Sequence, residues 1–307
     1  MSFIPNKLHF IWVGTQLPRV NAQNMLKWMF ANVLYEVFLW TESAQIESTA
    51  GTVANALGDY VLEGRVENIK IEQVPVGVIV HVDTPENIPY TMTIAAITSV
   101  PAIGGDATIL FEELETMRNY GAASDILRLW ILYEHGGVYL DFDVFPQQNV
   151  PLPLCIHAPR EILFASTNRS FYALNNCIIA GGQRSSKLLS LAQIVTYNYS
   201  AYYEEEEEGS GVWAVGREAL DMESELVLFR EKVRQAEAGS AAEIYWKHKL
   251  SGVLSLPTVS RTGPLYIARW LFRYENVQPA SEESLLYSFQ YQTQYVFTIC
   301  YDNSWMK

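Results

Sequence analysis

Ser124-Asp125-Ile126-Leu127-Arg128, followed by Gly136-Gly137-Val138-Tyr139-Leu140-Asp141-Phe142-Asp143-Val144, is the stretch on which the reading of this chain turns. Ser124 is a suitable N-cap, and Asp125 would then sit in a first helical turn, where the helix dipole favours an anion. Ile126, Leu127, Leu129, Trp130, Ile131, Leu132 and Tyr133 make the segment apolar on most faces, which predicts a buried helix. Asp125 and Arg128 interrupt it on one shared face. Gly136 and Gly137 stop the helix, because glycine takes the left-handed conformation at low cost. From Val138 to Val144 the pattern predicts a strand. Tyr139, Asp141 and Asp143 share one side; Val138, Leu140, Phe142 and Val144 share the other. Two half-buried carboxylates with α-carbons about 7 Å apart would repel and shift their pKa values. A divalent cation relieves that repulsion, and oxygen-only ligands suit Mg²⁺ or Mn²⁺, which keep waters and bind phosphate oxygens.

An isolated Asp-x-Asp pair is weak evidence, but here it comes with a helix-start Asp, an Arg one turn on, a double glycine and a Tyr. Ser-Asp-x-x-Arg followed by Gly-Gly-x-Tyr-x-Asp-x-Asp resembles the sugar-binding DXD region of GT-A glycosyltransferases. The nearer likeness is to the catalytic domains of the large clostridial glucosylating toxins and their bacterial effector relatives. The broader one is to family 32 glycosyltransferases of glycan synthesis. The resemblance implies an α/β fold of GT-A (Rossmann-like) type, with a mixed, mostly parallel sheet flanked by helices and carrying helical insertions. It also implies roles. Asp125 and Arg128 would hold the donor sugar, and Tyr139 would line the donor site. Asp141 would contact ribose, sugar or a metal-bound water, and Asp143 would ligate Mn²⁺ or Mg²⁺. The donor would be a UDP-sugar, glucose or N-acetylglucosamine, with transfer retaining the anomeric configuration.

Composition bounds the rest. A chain of 307 residues with 49 % hydrophobic and 13 % aromatic content can fill a sizeable core. A formal net charge of −13 argues against nucleic acid or an anionic membrane as the main partner, since phosphate binding needs a basic footprint. Cys155, Cys177 and Cys300 show neither a disulfide framework nor zinc spacing, and read as buried thiols of a reducing compartment. No signal-peptide pattern and no apolar run near the ~20 residues of a transmembrane helix is present. The expectation is a soluble protein of the bacterial cytoplasm, or one secreted into a host cell without a cleavable signal.

Along the chain, Leu8 to Val13 reads as a buried first strand ending at Gly14. Trp12 lies where open α/β sheets bind ligands. Pro-x-Lys-x-His-Phe-Ile-Trp-x-Gly resembles the family's opening strand, which implies uracil binding by Ile11 and Trp12; His9 reads as a core residue. Asn21 to Phe30 reads as a helix and Tyr35 to Trp40 as a second strand. The following Thr41-Glu42-Ser43 resembles the family's Leu-Trp-x-x-Ser segment. No Gly-x-Gly-x-x-Gly or P-loop pattern occurs. Residues 44–118 are expected to be a mainly helical insertion forming donor-site wall or acceptor surface, and residues 200–255 a second one, within a single domain over 1–307. Leu174 to Gly182 reads as a strand led by two amides; the family carries an Asn hereabouts that faces the donor sugar, either Asn175 or Asn176. Glu204 to Glu208 reads as a solvated acidic run. Thr262-Gly263-Pro264 opens a further predicted helix. Near the end, Trp305 resembles the toxins' lid tryptophan, and Asn303 or Ser304 would complete the metal shell. Two enzymatic readings follow. One is transfer to a protein acceptor by a toxin-like effector; the other is glycan or capsule synthesis by a family 32-type enzyme. A binding module that kept the fold is the third reading, and intact Arg128, Asp141 and Asp143 argue against it.

Overall fold

The computed structural model describes residues 2–101, 107–147, 150–166, 174–204 and 282–299, with scattered positions between 228 and 277. The predicted lid residues Asn303, Ser304 and Trp305 lie outside the described residues, as do Cys300, most of 200–255 and the Thr262-Gly263-Pro264 segment.

After a short strand β1 (Ser2–Phe3), β2 (Lys7–Ile11), helix α1 (Arg19–Ala31) and strand β3 (Glu36–Thr41) form a parallel βαβ unit, with Leu8 opposite Val37. Helix α2 (Ile46–Leu62) leads to strands β4 (Asn68–Val74), β5 (Gly77–Asp83) and β6 (Tyr90–Ala96). The expected helical insertion is therefore corrected: apart from α2 and short helical segments, residues 44–118 add three strands to the sheet. Pro75 sits with Val76 in the two-residue turn joining β4 to β5, while Val78, Val80 and Val82 alternate inward.

The short helix α3 (Ala107–Phe111) precedes α4 (Tyr120–His135), which is followed by β7 (Gly137–Leu140), β8 (Val144–Pro146), β9 (His157–Ala158), β10 (Ile162–Ser166), β11 (Leu174–Gly181) and α5 (Ser186–Glu204). Near the end come α6 (Phe289–Thr293) and β12 (Phe297–Ile299). The eight-stranded sheet runs β10-β11-β7-β2-β3-β6-β5-β4. Its four central strands are parallel, and the strands on both flanks are antiparallel.

Both faces are covered, which is why the central strands read as nearly unbroken apolar runs. Leu8, Phe10, Val37, Leu39, Val138 and Leu140 pack with α1 and α2. Ile11, Trp40, Tyr139 and Ile179 pack with α4 and α5 on the other face. His9 is fully buried between Gly136 O and the Trp40 indole, and burial holds its pKa down at about 3. It is a neutral core residue, as expected. Among the described residues no helix is long and apolar enough to cross a membrane.

Candidate active site

The chain turns back on itself around β2: β3 lies on one side and β7 on the other, both parallel to it. In such sheets ligands bind beyond the carboxyl ends of the strands, at the point where the strand order reverses. The residues that follow β2 and β7 there are Trp12 and Asp141. Their surroundings meet through Phe142, whose ring lies 5.6 Å from that of Trp12, edge to face. Trp12 is half-buried and donates its indole N–H to Thr15 O at 2.8 Å. Ile11 is 5 % exposed and packs into the core, so its side chain is not offered to a ligand. Gly14 donates its amide to Glu42 at 2.7 Å, and Gln45 donates to the same carboxylate oxygen.

Two local expectations are corrected. Ser124 does not cap a helix. Asn119 does, accepting from the Ala122 amide at 3.4 Å, so α4 begins at Tyr120 and Asp125 lies in its second turn, away from the dipole's end. The strand does not run to Val144 either. Asp141 still donates its amide to Cys177 O, but the chain then turns, and Val144 N–H reaches back to Asp141 O at 3.1 Å. Asp141 and Asp143 therefore flank a turn rather than alternate along a strand. The Gly136-Gly137 stop is as expected. Both have positive φ, +61° and +112°, and a Cβ on Gly136 would come within 2.7 Å of Gln183 N.

The buried helix aims Ser124, Asp125 and Arg128 at the ends of β7 and β11. Arg128 is 5 % exposed and uses every nitrogen within the protein. It faces Asp125 Oδ1 at 2.9 Å and Asp141 Oδ1 at 3.3 Å. It donates to Asn176 O at 2.7 Å and to Ser124 O at 3.2 Å, and lies 4.3 Å from the Tyr139 ring centroid. Burial opposes its charge, but Asp141, Tyr139 and Asp125 outweigh that and push its pKa up. Tyr139 does not line an open site: its ring is 2 % exposed beneath Arg128, and its hydroxyl donates to Asp141 and meets Ser124. Burial raises the Asp141 pKa, while Arg128 and the Tyr139 hydrogen bond hold it back. Its side chain is 30 % exposed, so solvent relieves part of that burial.

Of the two amides, Asn176 joins the cluster, donating to Asp125 Oδ1 at 2.7 Å. Asn175 accepts from the Cys177 amide two residues on and serves the local turn. Strict alternation from Ile179, which faces Tyr139's side of the sheet, would have chosen Asn175. A bulge intervenes: Phe164 pairs with Ile179, yet its neighbour Ala165 pairs with Asn175.

Burial raises the Cys177 thiol's pKa, and the charges of Asp141 and Asp143 raise it further. The chemistry of this donor set fits a hard divalent cation: the three carboxylates Asp125, Asp141 and Asp143 outnumber the one guanidinium, and all the donors are oxygen. Among the described residues no group of three or more His, Cys, Asp or Glu is arranged to hold a metal. A bound ion would complete its shell from water or phosphate oxygens.

Asn24 and Trp28 of α1 are site residues that the sequence did not flag. They grip the Asp141–Val144 turn from behind. Their signal was available: two polar-tipped side chains one helical turn apart on the apolar face of α1.

Residues 18–161 match the family described as glycosyltransferase sugar-binding region containing DXD motif. A stretch of 199 residues is 27 % identical to subversion of eukaryotic traffic protein A of Legionella pneumophila subsp. pneumophila, covering 64 % of this chain and 26 % of that protein. The match thus spans about a quarter of that relative. The UDP-bound glycosyltransferase domain of the YGT toxin superposes with a TM-score of 0.52 at 14 % identity, over 97 % of this chain and 83 % of that one. The catalytic domain of alpha-toxin from Clostridium novyi gives 0.54 at 14 %, over 95 % and 78 %. At such identity the likeness is one of fold.

Proposed function

We propose that this chain, whose residues 18–161 match the glycosyltransferase sugar-binding region containing a DXD motif, moves a sugar from a UDP-sugar to a protein acceptor, with Asp141 and Asp143 holding Mn²⁺ or Mg²⁺. The observation that carries this reading is the convergence, at one sheet edge, of the Asp141–Asp143 turn, the Trp12 ring and the Arg128 cluster. Trp12 offers an aromatic face for the uracil. Asp125, fixed by Arg128 and Asn176, accepts hydroxyl protons of the donor sugar as a buried, pre-aimed carboxylate. Arg128 holds Asp125 and Asp141 beside one another, its guanidinium 2.9 Å from one and 3.3 Å from the other. Tyr139 orients Asp141 rather than touching the donor. When bound, the cation would neutralise charge on the leaving diphosphate. Trp305, with Asn303 or Ser304, would close over the site and limit hydrolysis by water.

The Legionella relative, whose name describes subversion of eukaryotic traffic, supports a protein acceptor inside a host cell over glycan synthesis. The test is a panel of UDP-sugars with Mn²⁺, reading UDP release from wild type and Asp143→Ala. Release by wild type with a loss on the order of 100-fold in the variant is expected, by analogy with losses seen when groups acting on developing charge are removed. Equal release from both would overturn the metal assignment.

A further inference from the structure

The Asp141–Val144 turn is held by a helix far away in sequence. Asn24 is 2 % exposed in the middle of α1. Its Nδ2 donates to Phe142 O at 2.5 Å and to Val144 O at 2.9 Å. One turn on, Trp28 donates its indole N–H to the same Val144 O at 2.8 Å. The two carbonyls that Asn24 grips lie on either side of Asp143: Phe142 C=O belongs to the peptide leading into Asp143 and Val144 C=O to the peptide after Val144, so the amide ties down the backbone that carries the Asp143 side chain. Phe142 is packed at the same time between Phe10 and Trp12, at 5.4 Å and 5.6 Å. The turn is thereby tied to α1 through its backbone and to β2 through its ring.

The other end of the Asn24 amide shows what it is for. Its Oδ1 is buried with no hydrogen-bond partner among the described residues. Among the described residues only the donor half of the side chain is used. A buried amide that leaves its acceptor unsatisfied is a poor device for stability alone. As a device for pinning two carbonyls it needs only its N–H groups.

We infer that Asn24 is a positioning residue for the cation site, acting through the turn backbone to aim Asp143, with Trp28 as its second anchor. The inference rests on the metal reading proposed above. Groups that orient metal ligands from behind typically change metal affinity by about 10- to 100-fold when removed. Asn24→Asp is isosteric with the amide but donates no hydrogen bond when ionised, and it faces two carbonyl oxygens. Asn24→Ser is too short to reach them. Trp28→Phe removes one donor and leaves Asn24 in place.

The experiment is direct Mn²⁺ binding in the presence of UDP, followed by electron paramagnetic resonance of free Mn²⁺, with folding checked by circular dichroism. Met29→Ala serves as the control: Met29 is another buried α1 side chain, 1 % exposed, and its thioether has no N–H to offer the turn's carbonyls. Asn24→Ser and Asn24→Asp are expected to weaken Mn²⁺ binding by about tenfold or more, Trp28→Phe by less, and Met29→Ala not at all. Trp28→Phe keeps the test alive if the Asn24 variants do not fold. Wild-type affinity in the folded Asn24 and Trp28 variants, or an equal loss in Met29→Ala, would overturn the clamp while leaving the metal reading intact. A wild-type protein that binds no Mn²⁺ with UDP would remove the metal reading, and the clamp with it.

Discussion

Replacing Arg128 with methionine keeps most of the side chain's volume and removes its charge. Ser124 loses donors to its carbonyl and hydroxyl, and three other groups lose more. Asp125, 7 % exposed, loses an ion pair at 2.9 Å; Asp141, 30 % exposed, loses one at 3.3 Å; and Asn176 O loses a donor at 2.7 Å. Breaking a buried pair by deleting one partner costs about 3–5 kcal/mol, because the remaining charge stays in a poor solvent. The more exposed Asp141 pair adds little, since solvent screens it. The expected loss is therefore about 3–5 kcal/mol at neutral pH, set by Asp125. The loss also depends on pH. Burial already raises the Asp141 pKa, and Arg128 is a main restraint on that rise. Without Arg128 the folded pKa climbs further above the unfolded value near 4. The folded variant then holds a proton that the unfolded chain gives up. Its stability is greatest below the unfolded value and falls as pH rises toward the folded one. Urea unfolding of both proteins at about pH 7.5 and pH 5, followed by tryptophan fluorescence, should show a deficit that shrinks at the lower pH. A deficit under about 1 kcal/mol at both values, or one identical at both, would refute the assignment of Arg128 as the charge that holds this cluster together.

Tyr139→Phe deletes the hydroxyl that helps keep Asp141 ionised, so the acid limb of UDP release should move to higher pH; a pH–rate profile with an unmoved limb would count against that role. Asn176→Ala should cost about 1–3 kcal/mol in unfolding experiments by leaving Asp125 short of a donor, and should impair donor turnover. Asn175→Ala should do much less, and equal effects would contradict the bulged register. Gly14→Ala should lower thermal stability by about 1–3 kcal/mol, because φ is +91° and a Cβ would lie 2.3 Å from the Tyr120 ring; an unchanged melting temperature would mean that loop is looser than described.

What the sequence by itself determined is local. Runs such as Leu8–Ile11 and Val37–Trp40 must be strands buried on both faces, because every residue in them needs apolar cover. The double glycine must end α4, and the residues that follow it lie within the stretch, 18–161, that is similar to the glycosyltransferase sugar-binding family. Only the tertiary structure decided the rest, since those features depend on partners distant in sequence. A strand-like pattern from Val138 to Val144 becomes a turn because Asn24 and Trp28 take the carbonyls a further strand would have used. The helix-start reading of Ser124 gives way to Asn119, because five more residues, Tyr120 to Ser124, extend the helix and the Asn119 side chain can reach Ala122. Parity along β11 points to Asn175, yet Asn176 meets Asp125, because pairing with β10 forces a bulge that no local period records. Side-chain alternation is written in neighbouring residues; register and clamps are written in contacts that exist only once the chain has closed on itself.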